Sequence, residues 1–219
     1  MLSRIAATVV PSLGHLTITS DHATAPAAGS IIVANHTSLV DPGVVLAALR
    51  RLGVEPVVMA TAGLWRIPVL GRLLERGGHV PVHRNTDRAA GALDTAALAL
   101  AAGRHLLIYG EGRLPCRTDV AEAPPGSFRS GLARLAHVSG APVVPLGQAG
   151  ARRVSSGSRV KQISGFLTAP ARRPRLHVHL GAPLHLPPEV GAATAAAREA
   201  VTAAWRTAAD RIGEPAASA

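Results

Sequence analysis

Short apolar runs alternate with helical stretches along most of this 219-residue chain. The runs are rich in valine, isoleucine and leucine, and most of the stretches between them end at a glycine, which is typical of a helix terminus. The predicted strands are Ser30–Ala34, Pro56–Thr61, Gly78–Val82, His105–Tyr109, Ala141–Leu146 and Leu176–Leu180. The predicted helices are Pro42–Leu52, Trp65–Arg76, Asp87–Ala102, Arg129–Ser139 and Pro188–Ile212. This alternation predicts an α/β fold, a single-domain sandwich of helices around a mixed, largely parallel sheet.

We expect one domain over residues 1–213, with its motif-bearing part at about 14–187 and its last helix at about 188–212. Hydrophobic residues make up 47% of the chain, which is enough for a sizeable core. The apolar stripe of the last helix is expected to pack into that core. Residues 149–173 form a basic segment rich in Ser and Gly that is predicted to be mobile, and residues 214–219 are predicted to be a disordered tail.

The chain carries a formal charge of +10, almost all of it on arginine, since Lys161 is the single lysine. The planar fork of arginine suits phosphate groups, so an acidic partner is expected. Aromatic residues make up only 2% of the sequence, which leaves little for stacking on nucleobases. We therefore expect an anionic membrane surface rather than nucleic acid as the partner.

One strand-like run leads directly into a histidine and an aspartate. Ile31–Ala34 is followed by Asn35-His36-Thr37-Ser38-Leu39-Val40-Asp41. A carboxylate at Asp41 can accept the ring N–H of His36 and favour the imidazolium that forms when the other nitrogen takes a proton. The spacing predicts a general base, His36, oriented by Asp41. Asp41 can also cap the helix predicted from Pro42, Asn35 can hold the loop by side-chain hydrogen bonds, and these roles are compatible.

Two further strands end in groups that suit an anion. The first opens into Tyr109-Gly110-Glu111-Gly112-Arg113, where glycines let backbone N–H groups approach an anion and Arg113 can form a fork on phosphate. The second is Val80-Pro81-Val82-His83-Arg84, which ends in a cation. Arg84, Glu111, Gly112 and Arg113 are therefore the candidate substrate-binding residues.

Taken in order, these segments resemble the glycerolipid acyltransferase family, of the 1-acylglycerol-3-phosphate (lysophosphatidic acid) acyltransferase type. That family has four blocks: Asn-His-x4-Asp, a Gly…Arg block, Phe-Pro-Glu-Gly and a Val-Pro block. Here they correspond to Asn35–Asp41, the segment ending at Arg84, Tyr109–Gly112, and Ala141-Pro142-Val143-Val144-Pro145. The match runs from about Gly14 to Pro187.

The resemblance implies an O-acyltransferase that moves a fatty acyl group from an acyl thioester to a hydroxyl of a lysophospholipid-type acceptor. The acceptor implied is 1-acylglycerol 3-phosphate, and the product is phosphatidate. His36 and Asp41 would be catalytic, and Arg84, Arg113 and the amides around Glu111 would hold the phosphate. The Glu111 carboxylate would bind glycerol hydroxyls or orient an arginine. No cofactor is implied, because acyl-CoA or acyl-carrier protein serves as a co-substrate.

The third block departs from the family pattern. It reads Tyr109-Gly110-Glu111-Gly112 in place of Phe-Pro-Glu-Gly, and Arg113 lies one place earlier than the usual arginine. This departure keeps open a glycolipid or specialised-metabolite acceptor on the same fold. A second alternative, a non-catalytic basic module that binds anionic membrane, is supported only by charge. It predicts no requirement for His36.

The remaining sequence features concern the localisation of the protein and the absence of a predicted disulfide or metal site. No apolar run is long enough to span a bilayer, and the stretch before Pro11 is too short for a signal peptide, so a cytoplasmic, peripherally membrane-associated protein is expected. The single cysteine, Cys116, fits a reducing compartment and is expected to be incidental. His177, His179 and His185 lie close in sequence, but without Cys or carboxylate support we expect no metal site there.

Overall fold

The computed structural model describes residues 1–22, 25–83, 88–114 and 121–214, and of residues 88–90 it describes the backbone alone. These residues contain seven strands in one sheet, in the order β1-β7-β6-β2-β5-β3-β4. The strands are β1 His15–Ser20, β2 Ile31–Ala34, β3 Val57–Thr61, β4 Val80–Val82, β5 Leu106–Tyr109, β6 Val143–Ala149 and β7 Arg175–Leu180. Neighbouring strands are parallel except for β6 and β7, which are antiparallel. The predicted mixed, largely parallel sheet is confirmed.

Helices cover both faces of the sheet. In chain order they are α1 Leu2–Leu13, α2 Asp41–Arg51, α3 Pro68–Arg76, α4 Arg88–Ala101, α5 Gly131–Ser139, α6 Ala151–Val154, α7 Arg159–Arg172 and α8 Val190–Arg211, with a 3₁₀ helix at Ala62–Arg66 before α3. The alternation along β2 shows the layering, because successive side chains of a strand point to opposite faces. Ile32 and Ala34 pack with α1, α2, α6 and α7, whereas Ile31 and Val33 pack with α4, α5 and α8.

The last helix lies in the core, as its apolar stripe predicts. Val201, Trp205, Ala208 and Ile212 are all buried. The indole N–H of Trp205 donates to the buried Glu122 carboxylate at 3.4 Å, and the other oxygen of Glu122 accepts the amide of Gly150 at 2.8 Å. These hydrogen bonds of Glu122 connect residues 121–126 to α8 and to the residue after β6.

The structure corrects the prediction for residues 149–173. This segment forms α6 and α7 rather than a mobile loop, and Ala151, Arg152, Val154 and Ala169 within it are buried. Gly165 allows this packing, because a Cβ there would lie 2.6 Å from the Val154 carbonyl oxygen. At the end of the chain, Glu214 accepts two hydrogen bonds from the Arg153 guanidinium, at 2.7 and 3.0 Å. The structured part therefore reaches at least one residue into the predicted tail.

Two elements near the start of the chain were not predicted. Helix α1 buries Ser3, Ala6, Val10 and Leu13, and strand β1 extends the sheet beside β7. The polar threonines of β1 pair with histidines of β7: Thr17 Oγ1 lies 2.7 Å from His177 Nδ1, and Thr19 Oγ1 lies 2.9 Å from both His177 Nε2 and His179 Nδ1. Hydrogen bonds therefore engage both ring nitrogens of His177. No group of three or more potential metal ligands occurs in the described part of the chain.

Candidate active site

The candidate site lies where two neighbouring parallel strands end. β2 and β5 pair in parallel with Ala34 opposite Tyr109, so the residues after each strand emerge at the same edge of the sheet. His36 comes two residues after β2, and Glu111 comes two residues after β5. Ligand sites of α/β sheets form at such carboxyl ends. The fold thus brings the first and third sequence blocks together.

His36 and Asp41 contact each other as the spacing predicts. His36 Nδ1 lies 3.0 Å from Asp41 Oδ2. The same oxygen accepts the backbone amides of Thr37 and, at 2.8 Å, Ser38. The Asp41 side chain is 0% exposed and that of His36 is 16% exposed. A buried carboxylate that accepts N–H groups fixes the proton on Nδ1 and leaves Nε2 as the nitrogen that can accept one.

The proposed capping role of Asp41 is wrong. Asp41 is the first residue of α2, and Val40 occupies the cap position. The Asp41 carboxylate turns back to the amides of Thr37 and Ser38, which precede the helix. It organises the loop that carries His36 rather than the first turn of α2.

A buried polar network holds this loop to β6. The Asn35 side chain donates to the Gln148 carbonyl oxygen at 3.0 Å and accepts the Gln148 amide at 2.8 Å, which confirms its predicted supporting role. The Gln148 side chain donates to Thr37 Oγ1 at 3.1 Å, and Arg152 Nη1 donates to the Thr37 carbonyl oxygen at 3.0 Å. Sequence reasoning missed Gln148 and Arg152, because a residue more than 110 positions away gives no local signal.

Tyr109, the last residue of β5, and Glu111, just after the strand, both contact His36. The Tyr109 and His36 rings lie 4.4 Å apart, tilted by 31°. The Tyr109 hydroxyl is buried and has no hydrogen-bond partner among the described residues. Burial, and then the charge of Asp41, raises the pKa of the Tyr109 phenol well above its usual value, so the phenol stays neutral. Sequence reasoning named Tyr109 only as part of a block and gave it no role.

Within the described residues Glu111 contacts the backbone of His36, and its predicted role in orienting an arginine stays a prediction. Its side chain is buried, and Oε1 accepts the backbone amide of His36 at 3.3 Å. Burial is the largest effect on this carboxyl and raises its pKa, while the bond from His36 opposes the rise. These contacts lie within the protein and do not test the predicted binding of glycerol hydroxyls, so that role stays a prediction.

The glycines of the third block form tight turns, and the backbone amides of Gly110 and Gly112 already donate to carbonyl oxygens of the protein. The Gly110 amide donates to the Ala34 carbonyl oxygen at 3.2 Å, and the Gly112 amide donates to the Tyr109 carbonyl oxygen at 3.0 Å. Both amides are therefore engaged within the protein in this structure, and the phosphate-binding role of Gly112 stays a prediction. Gly112 has a φ of +67°, which favours glycine, and a Cβ at Gly110 would lie 2.3 Å from the Phe128 ring.

The predicted phosphate-binding arginines are placed only in part. Arg113 is exposed directly after Gly112. Arg84 and Cys116 lie outside the described residues. Arg129 is a further exposed arginine near the block, since a Cβ at Gly112 would lie 3.1 Å from Arg129 Cγ.

Comparisons with known proteins identify the family of this chain. A family model described as Acyltransferase matches residues 15–148, which is more than half of the chain and includes His36, Asp41 and Glu111. The chain therefore belongs to the acyltransferase family. This confirms the family, and at that level the enzyme class, that the four sequence blocks predict.

Two relatives extend the comparison. A protein of Mycoplasma genitalium, described as a probable 1-acyl-sn-glycerol-3-phosphate acyltransferase, is 27% identical over 135 residues, which are 60% of this chain and 48% of that protein. The chain thus spans about half the length of this curated relative. The crystal structure of the 1-acyl-sn-glycerophosphate (LPA) acyltransferase PlsC from Thermotoga maritima superposes with a TM-score of 0.72 at 17% identity, covering 97% of this chain and 79% of that one. It shows that the fold is shared.

Among the described helices, none has both the length and the apolar character needed to cross a membrane.

Proposed function

We propose that this protein transfers a fatty acyl group from an acyl thioester to a hydroxyl of a lysophospholipid-type acceptor, with 1-acylglycerol 3-phosphate as the acceptor and phosphatidate as the product. The observation that carries the proposal is the His36–Asp41 contact at 3.0 Å, at the strand ends where the family blocks meet. Family membership and the description of the Mycoplasma genitalium relative support this acceptor class.

The proposed mechanism uses His36 first as a base and then as an acid. The acceptor hydroxyl attacks the thioester carbonyl carbon while His36 Nε2 takes its proton, and Asp41 stabilises the imidazolium through Nδ1–H. The tetrahedral intermediate then collapses, the carbon–sulfur bond breaks, and His36 returns the proton to the leaving thiolate. The products are the ester and a free thiol, so no cofactor and no covalent acyl-enzyme are needed.

Two neighbouring groups can stabilise the imidazolium that forms during the proposed transfer. The Tyr109 ring lies against His36, and an aromatic face attracts a cation. The Asp41 carboxylate is fully buried, and electrostatic interactions of a buried charge are stronger than those in bulk water. Arg113, and Arg84 from outside the described residues, are proposed to bind the phosphate of the acceptor.

The altered third block supports a second candidate, in which the same base acts on a glycolipid or a specialised metabolite. The Phe128 ring lies against Gly110, where the family block has proline, so this wall of the site differs from the family pattern. In this case Arg113 would serve a different headgroup.

An acceptor and donor screen tests the proposal. Purified protein is incubated with a labelled acyl-CoA or acyl-carrier protein and with 1-acylglycerol 3-phosphate, a neutral monoacylglycerol or a lysoglycolipid, and mass spectrometry identifies the product. We expect transfer to the phosphorylated acceptor. Transfer only to an uncharged alcohol would remove the phosphate-binding roles, and transfer from only one donor would identify that donor. The absence of transfer to any acceptor would favour the non-catalytic basic module.

The proposal includes a location. A lysophospholipid acceptor lies in a bilayer, so we place the protein at the cytoplasmic surface of an anionic membrane, bound reversibly and with basic side chains that each contribute about 1 kcal/mol near that surface.

A further inference from the structure

Helix α7 has an apolar face that no described part of the protein covers. Val160, Ile163 and Leu167 are spaced by three and four residues, so they share one side of the helix. Ile163 is 63% exposed and Leu167 is 71% exposed. The side that packs onto the protein is the opposite one, with Gln162, Gly165 and the buried Ala169. The exposed face is therefore not part of the core.

Helix α1 has a second exposed apolar stripe and lies beside α7. Its Ile5 and Val9 are exposed and four residues apart, while Ala6 and Val10 are buried in the same cluster as Ala169 of α7. Arg173, directly after α7, donates to the Pro11 carbonyl oxygen of α1 at 3.5 Å. We call Ile5, Val9, Val160, Ile163 and Leu167 together the α1–α7 surface.

The charged residues within α1 and α7 and directly next to them in sequence are all basic. Neither α1 nor α7 contains an acidic residue, and Arg4, Arg159, Lys161, Arg172 and Arg173 are exposed on or next to them. Over residues 123–188 the sequence has no Asp or Glu at all. An apolar helix face flanked by Arg and Lys is typical of a helix that lies in the interface of an anionic bilayer.

The surface is connected to the loop that carries the candidate base. Ser38 Oγ donates to the Ser155 carbonyl oxygen at 2.7 Å, and Arg152 of α6 donates to the Thr37 carbonyl oxygen. Leu39, within the same loop, is 66% exposed. The chain segment that leads into α7 thus packs directly against the residues next to His36.

We propose that the α1–α7 surface is the membrane-docking surface of this protein, with an anionic bilayer as its partner, and that docking brings the His36 loop to the lipid interface. This inference rests on the proposed function, because a bilayer acceptor is the reason for docking. It goes further by naming the helices and side chains that enter the membrane and by predicting that binding does not require catalysis.

Vesicle co-sedimentation of variants of the 219-residue chain tests the inference. The probe is vesicles of equal parts phosphatidylglycerol and phosphatidylcholine, with vesicles of phosphatidylcholine alone for comparison. The test variant is the double substitution Ile163→Ser with Leu167→Ser. The matched control is Leu98→Ser with Val138→Ser, because these side chains are 72% and 77% exposed in a groove between α4 and α5 on the other face of the sheet. Circular dichroism melting shows whether each variant is folded.

We expect wild type and the control to bind the anionic vesicles, and the Ile163/Leu167 variant to bind roughly tenfold or more weakly, since two apolar side chains no longer enter the interface. Binding should be weaker to phosphatidylcholine alone and at high salt. The inference is overturned if wild type binds no vesicle, if both double variants bind alike, or if neutral and anionic vesicles bind equally. A change in oligomeric mass in place of vesicle binding would assign the surface to self-association and also overturn it.

Activity on a water-soluble acceptor separates the two proposals. With a short-chain 1-acylglycerol 3-phosphate that does not form membranes, the Ile163/Leu167 variant should match wild type, while with the acceptor embedded in vesicles it should be several-fold slower. His36→Ala should still bind vesicles. If no variant transfers acyl groups but vesicle binding follows the expected pattern, the proposed function fails and the docking surface stands.

Discussion

The carboxylate of Asp41 is fully buried, and a single oxygen of it accepts the His36 ring N–H and the amides of Thr37 and Ser38. A neutral amide can keep one of these contacts but cannot stabilise a positive charge on His36. We therefore expect Asp41→Asn to remain folded and to lose about 10²–10⁴-fold in turnover. Asp94→Asn, at an exposed position of α4, is the control in the same acyl-transfer assay. Turnover of Asp41→Asn within a few-fold of wild type would contradict the role of the dyad.

Two variants of Glu111 distinguish a role in positioning His36 from a role in binding the acceptor. Glutamine keeps an oxygen for the His36 amide, whereas alanine does not. If Glu111 positions His36, Glu111→Gln should stay within a few-fold of wild type and Glu111→Ala should lose up to about tenfold in kcat, the equivalent of one hydrogen bond. If it binds glycerol hydroxyls, as the sequence predicts, both variants should instead raise the KM of the acceptor. Steady-state kinetics with varied acceptor distinguish the two.

Arg113 tests the phosphate assignment. A charge-assisted hydrogen bond contributes about 1.5–3 kcal/mol, so Arg113→Ala should raise the KM of a phosphorylated acceptor tens-fold or more and change the KM of the thioester donor less. Arg134→Ala, on the exposed side of α5, controls for the loss of charge. An effect confined to the donor would mean that Arg113 binds the coenzyme phosphates.

At the scale of elements, His79 joins the turn before β4 to strand β3. Its Nδ1 accepts the Val58 amide at 2.9 Å, which requires an unprotonated ring nitrogen. Burial, followed by the positive charges of the N-terminus and Arg104, lowers the pKa of His79 from 6.5 to about 4. The unfolded chain takes up this proton at higher pH than the folded protein, so the stability from His79 is complete above about pH 6.5 and is lost as the pH falls towards 4.

We expect the melting temperature of wild type to fall more steeply from pH 7 to pH 4.5 than that of His79→Gln, in which the side-chain oxygen still accepts the Val58 amide. Burial raises the pKa values of the Glu111 and Glu122 carboxyls, and this favours the folded protein at low pH. Because this effect opposes that of His79, the pH dependence of wild type alone does not isolate His79, and a variant is needed. The difference between the two melting curves isolates His79. Parallel curves would show that the ring does not titrate with folding.

The elements that the sequence did not predict are those that are stabilised by contacts with residues far away in the chain. Strand β1 alternates Leu16 and Ile18 with Thr17 and Thr19, and its threonines are explained only by the histidines of β7, about 160 residues away. Helix α7 contains Gly165 and Pro170, which lower helix propensity, and is held by packing on Val154 and α1. The strands that carry the site were predictable because their apolar runs and turn glycines are local.

At the scale of the whole molecule, some site residues are predicted by a short local motif and others depend on the order of the strands in the sheet. His36 and Asp41 were predictable because five residues separate them, and the parallel strands β2 and β5 bring Glu111 to them. Gln148, Arg152 and the Tyr109 contact depend on the strand order β6-β2-β5, which no short motif specifies. The sheet therefore joins residues of the first family block to Gln148 and Arg152, which lie outside the four blocks.

Acyl transfer by wild type, His36→Ala and His22→Ala, each checked for folding, tests whether His36 is the general base. His22 is exposed and outside the site, so it controls for the loss of an imidazole. With a labelled acyl thioester and 1-acylglycerol 3-phosphate, wild type and His22→Ala should form labelled phosphatidate at similar rates, and His36→Ala should be slower by about 10²–10⁴-fold. A folded His36→Ala protein that forms product within a few-fold of the wild-type rate would show that His36 is not the base.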